Sequence, residues 1–308
     1  MSQVPSFSPT FSSQDKNILW VLSLSVFMGV SNVMVIAPLL DLIKNSIGIE
    51  KSQYGFVLGA YPMFSLISGI LMGPFSDRYG RRALLLLGLS GLALCQALTG
   101  FAQSFETLII FRALSGAFGA LINSSAYALV ADYFSFELRP KAMGVVAGGT
   151  ALSQIAGIPL GILIGGQFSW NMVFFAFAAL SFLLVLWILF LLPTPKVPLS
   201  KDPINLKTYQ KKFGLIFKNL NTSLALLTYF LMFAGVFIFA GAYPTWLNSV
   251  FAQSGLNFYH IALLFTIAGV GSFIGSTSSG YFLSSTSKKL WWVGMINLAL
   301  LVFIVLMP

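Results

Sequence analysis

The chain is short of charge, and shortest of acid. Charged side chains make up 8% of its 308 residues, against about 25% in soluble domains. A single core inside a charged, water-facing shell is therefore excluded. One histidine, His260, and one cysteine, Cys95, give no set from which a metal or catalytic cluster is built, and a lone thiol excludes an internal disulfide. No apolar stretch holds a carboxylate pair or a nucleophile beside a base, so the chain does not read as an enzyme, and neither cofactor nor metal is expected. Eight acidic residues stand against seventeen Lys and Arg, a net charge of +9.

What fills the chain instead is apolar: 57% hydrophobic residues, thirty of them Phe and six Trp. Crossing a hydrocarbon core of about 30 Å takes roughly 20 mostly apolar helical residues. Nine such runs occur, at 17–40, 55–74, 83–102, 107–131, 143–165, 172–193, 222–247, 258–282 and 290–308. They are continuous rather than alternating, which predicts helices and not barrel strands. The first run is too long for the core of a signal peptide. The Ser/Pro-rich stretch 1–16 before it reads as a disordered tail.

Basic residues are distributed by side. Lys16, Arg78, Arg81, Arg82, Arg139, Lys141, Lys288, Lys289 and six lysines of the 194–221 segment fall in alternate loops, whereas only Lys44 and Lys51 fall in the others. Positive residues stay cytoplasmic, so the tail and the long polar segment are expected inside. The basicity is topological, and nucleic acid is not an expected partner; the bilayer is. Residues 17–193 form an expected six-helix bundle and 194–221 a cytoplasmic linker, either plainly solvated or carrying an amphipathic helix near 205–219 that lies on anionic lipid. Residues 222–308 form a second bundle of three helices.

Runs seven to nine repeat runs one to three at an offset of 207: Gly73 and Arg81-Arg82 correspond to Gly280 and Lys288-Lys289, with Ser284 in place of Asp77. Parallel repeats of this kind build transporters whose substrate site lies between the halves. An equal second half would hold six spans, so the chain is read as a twelve-span protein truncated after the ninth.

Four stretches carry the chemistry. Residues 73–82 combine Gly73, Asp77, Arg78, Gly80, Arg81 and Arg82; Gly80 permits a turn at positive φ, and Asp77 can pair with the arginines or cap a helix. Asp132 and Arg139 lie at the same side and are expected to join that charge network, whose role would be to bias which way a cavity opens. Arg112 is the one ionisable residue well inside a run, and Gly116, Gly119, Asn123 and Tyr127 continue its helical face; a charged, small and polar stripe suits the wall of a water-filled cavity. The fifth run spaces Gly148, Gly157, Gly161, Gly165 and Gly166 along one helix, bent by Pro159.

These stretches resemble the major facilitator superfamily. The 73–82 segment is similar to its G-x-x-x-D-R-x-G-R-R motif between helices two and three. Arg112 with Gly116 resembles its helix-four motif, and the fifth run its antiporter motif G-x8-G-x3-G-P-x2-G-G, with Ile162 where the proline belongs. Trp170 and Phe174 match its W-R-x-x-F entry to helix six, with Asn171 for the arginine. The resemblance implies an all-α bundle that moves small molecules by alternating access, with Asp77 clamping the halves, Arg112 and Gly116 coupling to protons, and the antiporter branch favouring efflux of drugs or metabolites. Asp41, near the outer end of the first span, is a further candidate proton site. An importer of sugars or organic acids, or a non-transporting membrane protein, remains the alternative. Asn32, Asn123, Tyr127, Gln154, Tyr243 and Trp246 are the expected substrate contacts. The expected setting is a monomer in the plasma (inner) membrane, with protons and a small-molecule substrate as its partners.

Overall fold

Inside hydrocarbon each backbone polar group needs a partner within the protein, so a continuous apolar run is stable as a helix. The computed structural model describes residues 11–195, 197–199, 214, 218–228, 230–231, 234–235, 258–284 and 295. Its helices are α1 (Ser13–Met34), α2 (Ile36–Ile47), α3 (Tyr54–Tyr79), α4 (Arg81–Gly100), α5 (Phe105–Tyr133), α6 (Arg139–Leu152), α7 (Ile158–Gln167), α8 (Trp170–Leu191) and α9 (Phe258–Ser284). A 3₁₀ turn, Lys51–Gln53, precedes α3, and a π turn, Ser153–Gly157, joins α6 to α7. Among the described residues, six segments are long and apolar enough to cross a membrane, the last being Trp170–Leu191. They coincide with the first six expected runs, and α9 coincides with the eighth. All of the ninth run but Met295, most of the seventh and most of the 194–221 linker lie outside the described residues.

Helix ends differ from the expected ones where a local signal overrides hydropathy. Ser12 caps α1: its Oγ accepts from the Asp15 N–H at 3.2 Å, and Asp15 Oδ2 accepts from the Ser12 N–H at 2.9 Å. This reciprocal box starts the helix at Ser13, so the expected 1–16 tail is four residues too long. The expected unbroken run 17–40 is also corrected. Pro38 has no N–H for the Met34 carbonyl and its ring crowds that oxygen; α1 stops at Met34 and α2 resumes at Ile36. The expected 73–82 loop is mostly helix. Residues 73–79 are the last turns of α3 and Arg81 opens α4, leaving Gly80 alone, at φ 87°, to make the corner.

Pro159 repeats the effect of Pro38 in the fifth run. It frees the carbonyl of Ile155, and the helix widens there: the Ile158 N–H reaches back five residues to the Ser153 carbonyl. Such bulges are rare and cluster at functional places.

α5 packs against α3 and α4, α4 against α8, and α1 against α6 and α5. The core between them is aliphatic, with Leu22, Leu85, Leu89, Leu92, Ile122 and Phe174 fully buried. α9 lies against α7, the π turn and α6, around Ile158, Ile162 and Ala262.

The seam between α1–α2 and the fifth run is closed by glycine. A Cβ at Gly149 would meet the Ser23 carbonyl oxygen, at Gly157 the Ser31 hydroxyl, at Gly161 the Val35 side chain and at Gly165 that of Leu39. Gly148, the expected member of this stripe, has nothing within 4 Å; Gly149 takes its place in the contact. Gly149→Ala is therefore expected to lower the thermal unfolding temperature in detergent by several degrees, since overpacking against backbone costs about 1–3 kcal/mol. Gly148→Ala should leave it unchanged or slightly raised. Equal melting curves for the two variants would contradict this seam.

Candidate functional site

Arg112 is fully buried. An arginine at mid-helix costs about 2.5–3.5 kcal/mol on insertion scales, so its neighbours have to compensate. Its Nη1 donates to the backbone carbonyl and to Oδ1 of Asn32, each at 2.9 Å, which ties α5 to α1 near the end of α1. The guanidinium carbon lies 5.1 Å from the centre of the Tyr61 ring, a cation–π contact strengthened by exclusion of water. Tyr61 comes from α3 and is itself buried; its hydroxyl donates to the Gly29 carbonyl at 3.3 Å. Three helices thus meet on one cation.

The two glycines below Arg112 make the space for this. A Cβ on Gly116 would fall on the Tyr61 carbonyl oxygen, and one on Gly119 on the Tyr61 hydroxyl. The expected cavity wall is corrected here: over Arg112, Gly116 and Gly119 the stripe is covered by Tyr61. Only its lower part, Asn123 and Tyr127, is half-buried. Asn123 sits against Gly29, its Oδ1 3.3 Å from where a Cβ would be. Arg112 Nε and Nη2, Asn32 Nδ2 and Asn123 Oδ1 are buried with no hydrogen-bond partner among the described residues. The ion pair found among those residues is elsewhere, between Arg81 and Asp132, so Arg112 is held by dipoles and a ring rather than by a carboxylate.

At one end of the bundle the remaining arginines collect. Arg81 Nη1 bonds Asp132 Oδ1 at 2.6 Å and the Ala128 carbonyl at 2.7 Å, joining the start of α4 to the end of α5. Arg82 donates to the carbonyls of Ile188, Leu189 and Leu192, closing the end of α8. Arg139 donates to the carbonyls of Ala131 and Phe134 at the end of α5. Cations at helix C-termini meet the negative end of the helix dipole. The expected charge network is partly drawn together: Arg81 pairs with Asp132, Arg139 caps α5 within electrostatic reach of the same carboxylate, and Arg82 caps α8. Arg78 lies 6.0 Å from the neighbouring Tyr79 ring. Glu137, in the turn between α5 and α6, is held below the usual carboxylate range by its own backbone N–H, then by the Ser135 hydroxyl.

Beside this cluster is a cavity of about 420 Å³, lined by Asp77, Gly80, Arg81, Arg82 and Asp132 and by Thr194, Pro195, Val197, Pro198 and Leu199. Leu199 covers Gly80, and the Tyr133 hydroxyl donates to the Pro193 carbonyl. Gly73, farther up α3, has nothing within 4 Å of its Cβ position.

The other expected residues separate. Asp41 accepts from the Tyr54 hydroxyl at 2.9 Å at the opposite end of the bundle. Gln154 lies in the π turn and Pro159 just after it; Gly166 is exposed. Trp170 and Phe174 meet edge to face at 6.1 Å, and Asn171, where the motif has arginine, bonds the Gly100 carbonyl at 2.7 Å. Tyr243 and Trp246 lie outside the described residues. Sequence reasoning missed Tyr61, an aromatic in an apolar run with no local signal. It also missed the Ser31–Ser153 hydroxyl pair, 3.0 Å apart across 122 positions.

Residues 19–308 match the Major Facilitator Superfamily. Among curated relatives, an MFS-type transporter of Bacillus subtilis, YceJ, is 29% identical over 84% of this chain and 65% of its own length. Multidrug resistance protein 2 of the same organism is 28% identical over 84% of the chain and 64% of its length. The chain thus spans just under two thirds of these relatives. Among solved structures, a bacterial homologue of the human lysosomal transporter Spinster superposes with a TM-score of 0.66 at 21% identity, over 90% of this chain and 65% of the other. A D-xylose–proton symporter superposes at 0.64 and 16% identity, over 88% and 70%; both show likeness of fold. With six segments among the described residues long and apolar enough to cross a membrane and a family match from residue 19 to residue 308, the chain is an integral, multi-pass membrane protein that belongs to the Major Facilitator Superfamily.

Proposed function

We propose that this protein is a secondary active transporter that expels small drugs or metabolites in exchange for protons, by alternating access. The observation that carries the reading is Arg112, a cation held in a dry three-helix junction with two donor groups unused among the described residues. A charge held inside a membrane bundle is costly and is read by default as part of an ion, proton or substrate path. Multidrug resistance proteins among the relatives and the glycine-lined fifth helix support the efflux direction. The asymmetry of Lys and Arg supports a cytoplasmic N-terminus with the arginine-rich end on the same side; in this reading the protein acts as a monomer in a plasma membrane. Asp77, the Arg81–Asp132 pair and the cavity beside them form the inner gate in this reading. Asn123, Tyr127 and Gln154, with Tyr243 and Trp246, remain the proposed substrate contacts, and Asp41 a proposed proton site at the outer end.

In everted vesicles loaded with acid, addition of substrate is expected to release protons. Arg112→Ala should abolish that release while the protein still reaches the membrane. Arg112→Lys should also fail, because an ammonium that took over the two Asn32 contacts of Nη1 would lack the planar face that lies on the Tyr61 ring. Proton release by Arg112→Ala at the wild-type rate would reject the assignment.

For the gate, Asp132→Asn is expected to lower stability, because the Asp132 side chain is only 8% exposed and loss of its charge leaves Arg81 without its charge partner. It should alter the ratio of inward-open to outward-open protein, read by thiol accessibility of single cysteines placed at each mouth. The exchanged pair Arg81→Asp with Asp132→Arg should move that ratio back toward the wild type. An unaltered ratio in Asp132→Asn would exclude a gating role.

A further inference from the structure

The fifth helix is interrupted where α9 crosses it. Pro159 offers no N–H to the carbonyl of Ile155, and the π turn Ser153–Gly157 leaves that oxygen facing α9. Thr266 of α9 lies against it: its Oγ1 is 3.4 Å from the Ile155 carbonyl and 3.0 Å from the carbonyl of Ala262 in its own helix. A hydroxyl has one hydrogen to donate, so these are alternative acceptors, not simultaneous ones. One turn along, Gly269 rests directly on the bulge. A Cβ there would lie 2.7 Å from the Ile155 nitrogen and 2.8 Å from the Gln154 carbonyl carbon, both backbone atoms that cannot yield. Around this polar point the contact is apolar, built from Ile158, Ile162 and Ala262. Toward the end of α7, Gln167 Nε2 and the Tyr259 hydroxyl are 2.9 Å apart.

We infer that Thr266 is a positioning residue: its hydroxyl supplies the hydrogen bond that Pro159 withholds from Ile155, and by exchanging between Ile155 and Ala262 it holds α9 on the fifth helix reversibly. The exchange explains how such a contact is made and released at little cost. When α9 departs, the hydroxyl loses nothing, because the Ala262 carbonyl accepts it, and the Ile155 carbonyl turns toward the opening between the helices, where water serves it. A hydroxyl bonded only across the interface would have to be stripped of its partner at each cycle. Gly269 fixes the register, since it lets α9 approach the bulge at this one level. The inference rests on the alternating-access reading but is independent of the cargo and of proton coupling.

The test uses the full chain with Cys95 replaced by Ala and nitroxide labels at Phe136→Cys and Ile267→Cys, both exposed positions. Pulsed electron resonance in nanodiscs, without substrate, then reads the populations of the arrangements. Wild type should give two distances. Thr266→Val, which keeps the shape and removes the hydroxyl, should shift their ratio away from the described arrangement by roughly two- to tenfold, the range one neutral hydrogen bond covers. Thr266→Ser should match wild type. Pro159→Ala, which restores an N–H to Ile155, should make Thr266→Val silent. That rescue separates the proposed role from a general packing defect. Two distances in wild type with an unaltered ratio in a monodisperse Thr266→Val protein would overturn the inference and leave alternating access standing, as would failure of the Pro159→Ala rescue. A single distance in wild type would overturn both.

Discussion

A carbonyl oxygen in the middle of a membrane must find its donor within the protein, and this chain is organised by how it meets that demand. Pro38 and Pro159 each leave an oxygen unserved four residues upstream, and each time the helix changes form: a break after Met34, a π turn at Ser153. Helix ends create the same need, and polar side chains answer it. Of the five arginines, four donate to backbone carbonyls, and Asn171 does so for Gly100. Only Arg81 is also paired with a carboxylate among the described residues. The cations in this bundle therefore serve first as ties between helices, and their charge is left over for function.

That arrangement makes sense of a guanidinium at the junction of α1, α3 and α5. One nitrogen reaches the Asn32 carbonyl and side chain, which an ammonium could also do, but only a guanidinium lays a planar face on Tyr61 at the same time. Its Nε and Nη2 have no partner among the described residues.

Much of this was legible in the sequence, and the reasons for the rest are physical. Hydropathy reports burial in lipid, so the six apolar segments and α9 fall where their composition puts them. Gly80 was readable because a turn between two arginine-flanked helices needs positive φ. The Ser12–Asp15 cap was readable too, but four residues of local pattern compete poorly with a Ser/Pro-rich tail in a composition argument. Partners across the bundle are a different matter. Nothing within one helix tells Gly149 from Gly148, because the distinction is which neighbour stands behind each. Tyr61 looked like any aromatic in a span until α5 was laid beside it. The charge cluster of Arg81, Arg82, Asp132 and Arg139 was visible as a cluster, but its division into one ion pair and two sets of carbonyl caps depends on where α5 and α8 end in space.

The fit of Tyr61 over Gly116 and Gly119 carries a consequence for how relatives of this protein diverge. The ring fills the room of two missing side chains, touching one glycine with its carbonyl and the other with its hydroxyl. A lineage that enlarges residue 119 gains a clash unless residue 61 has already lost its hydroxyl, and one that shortens residue 61 uncovers the guanidinium. Residues 61 and 119 can therefore drift only together and should covary across descendants, whereas residue 116, which meets a backbone carbonyl, should stay glycine whatever residue 61 becomes.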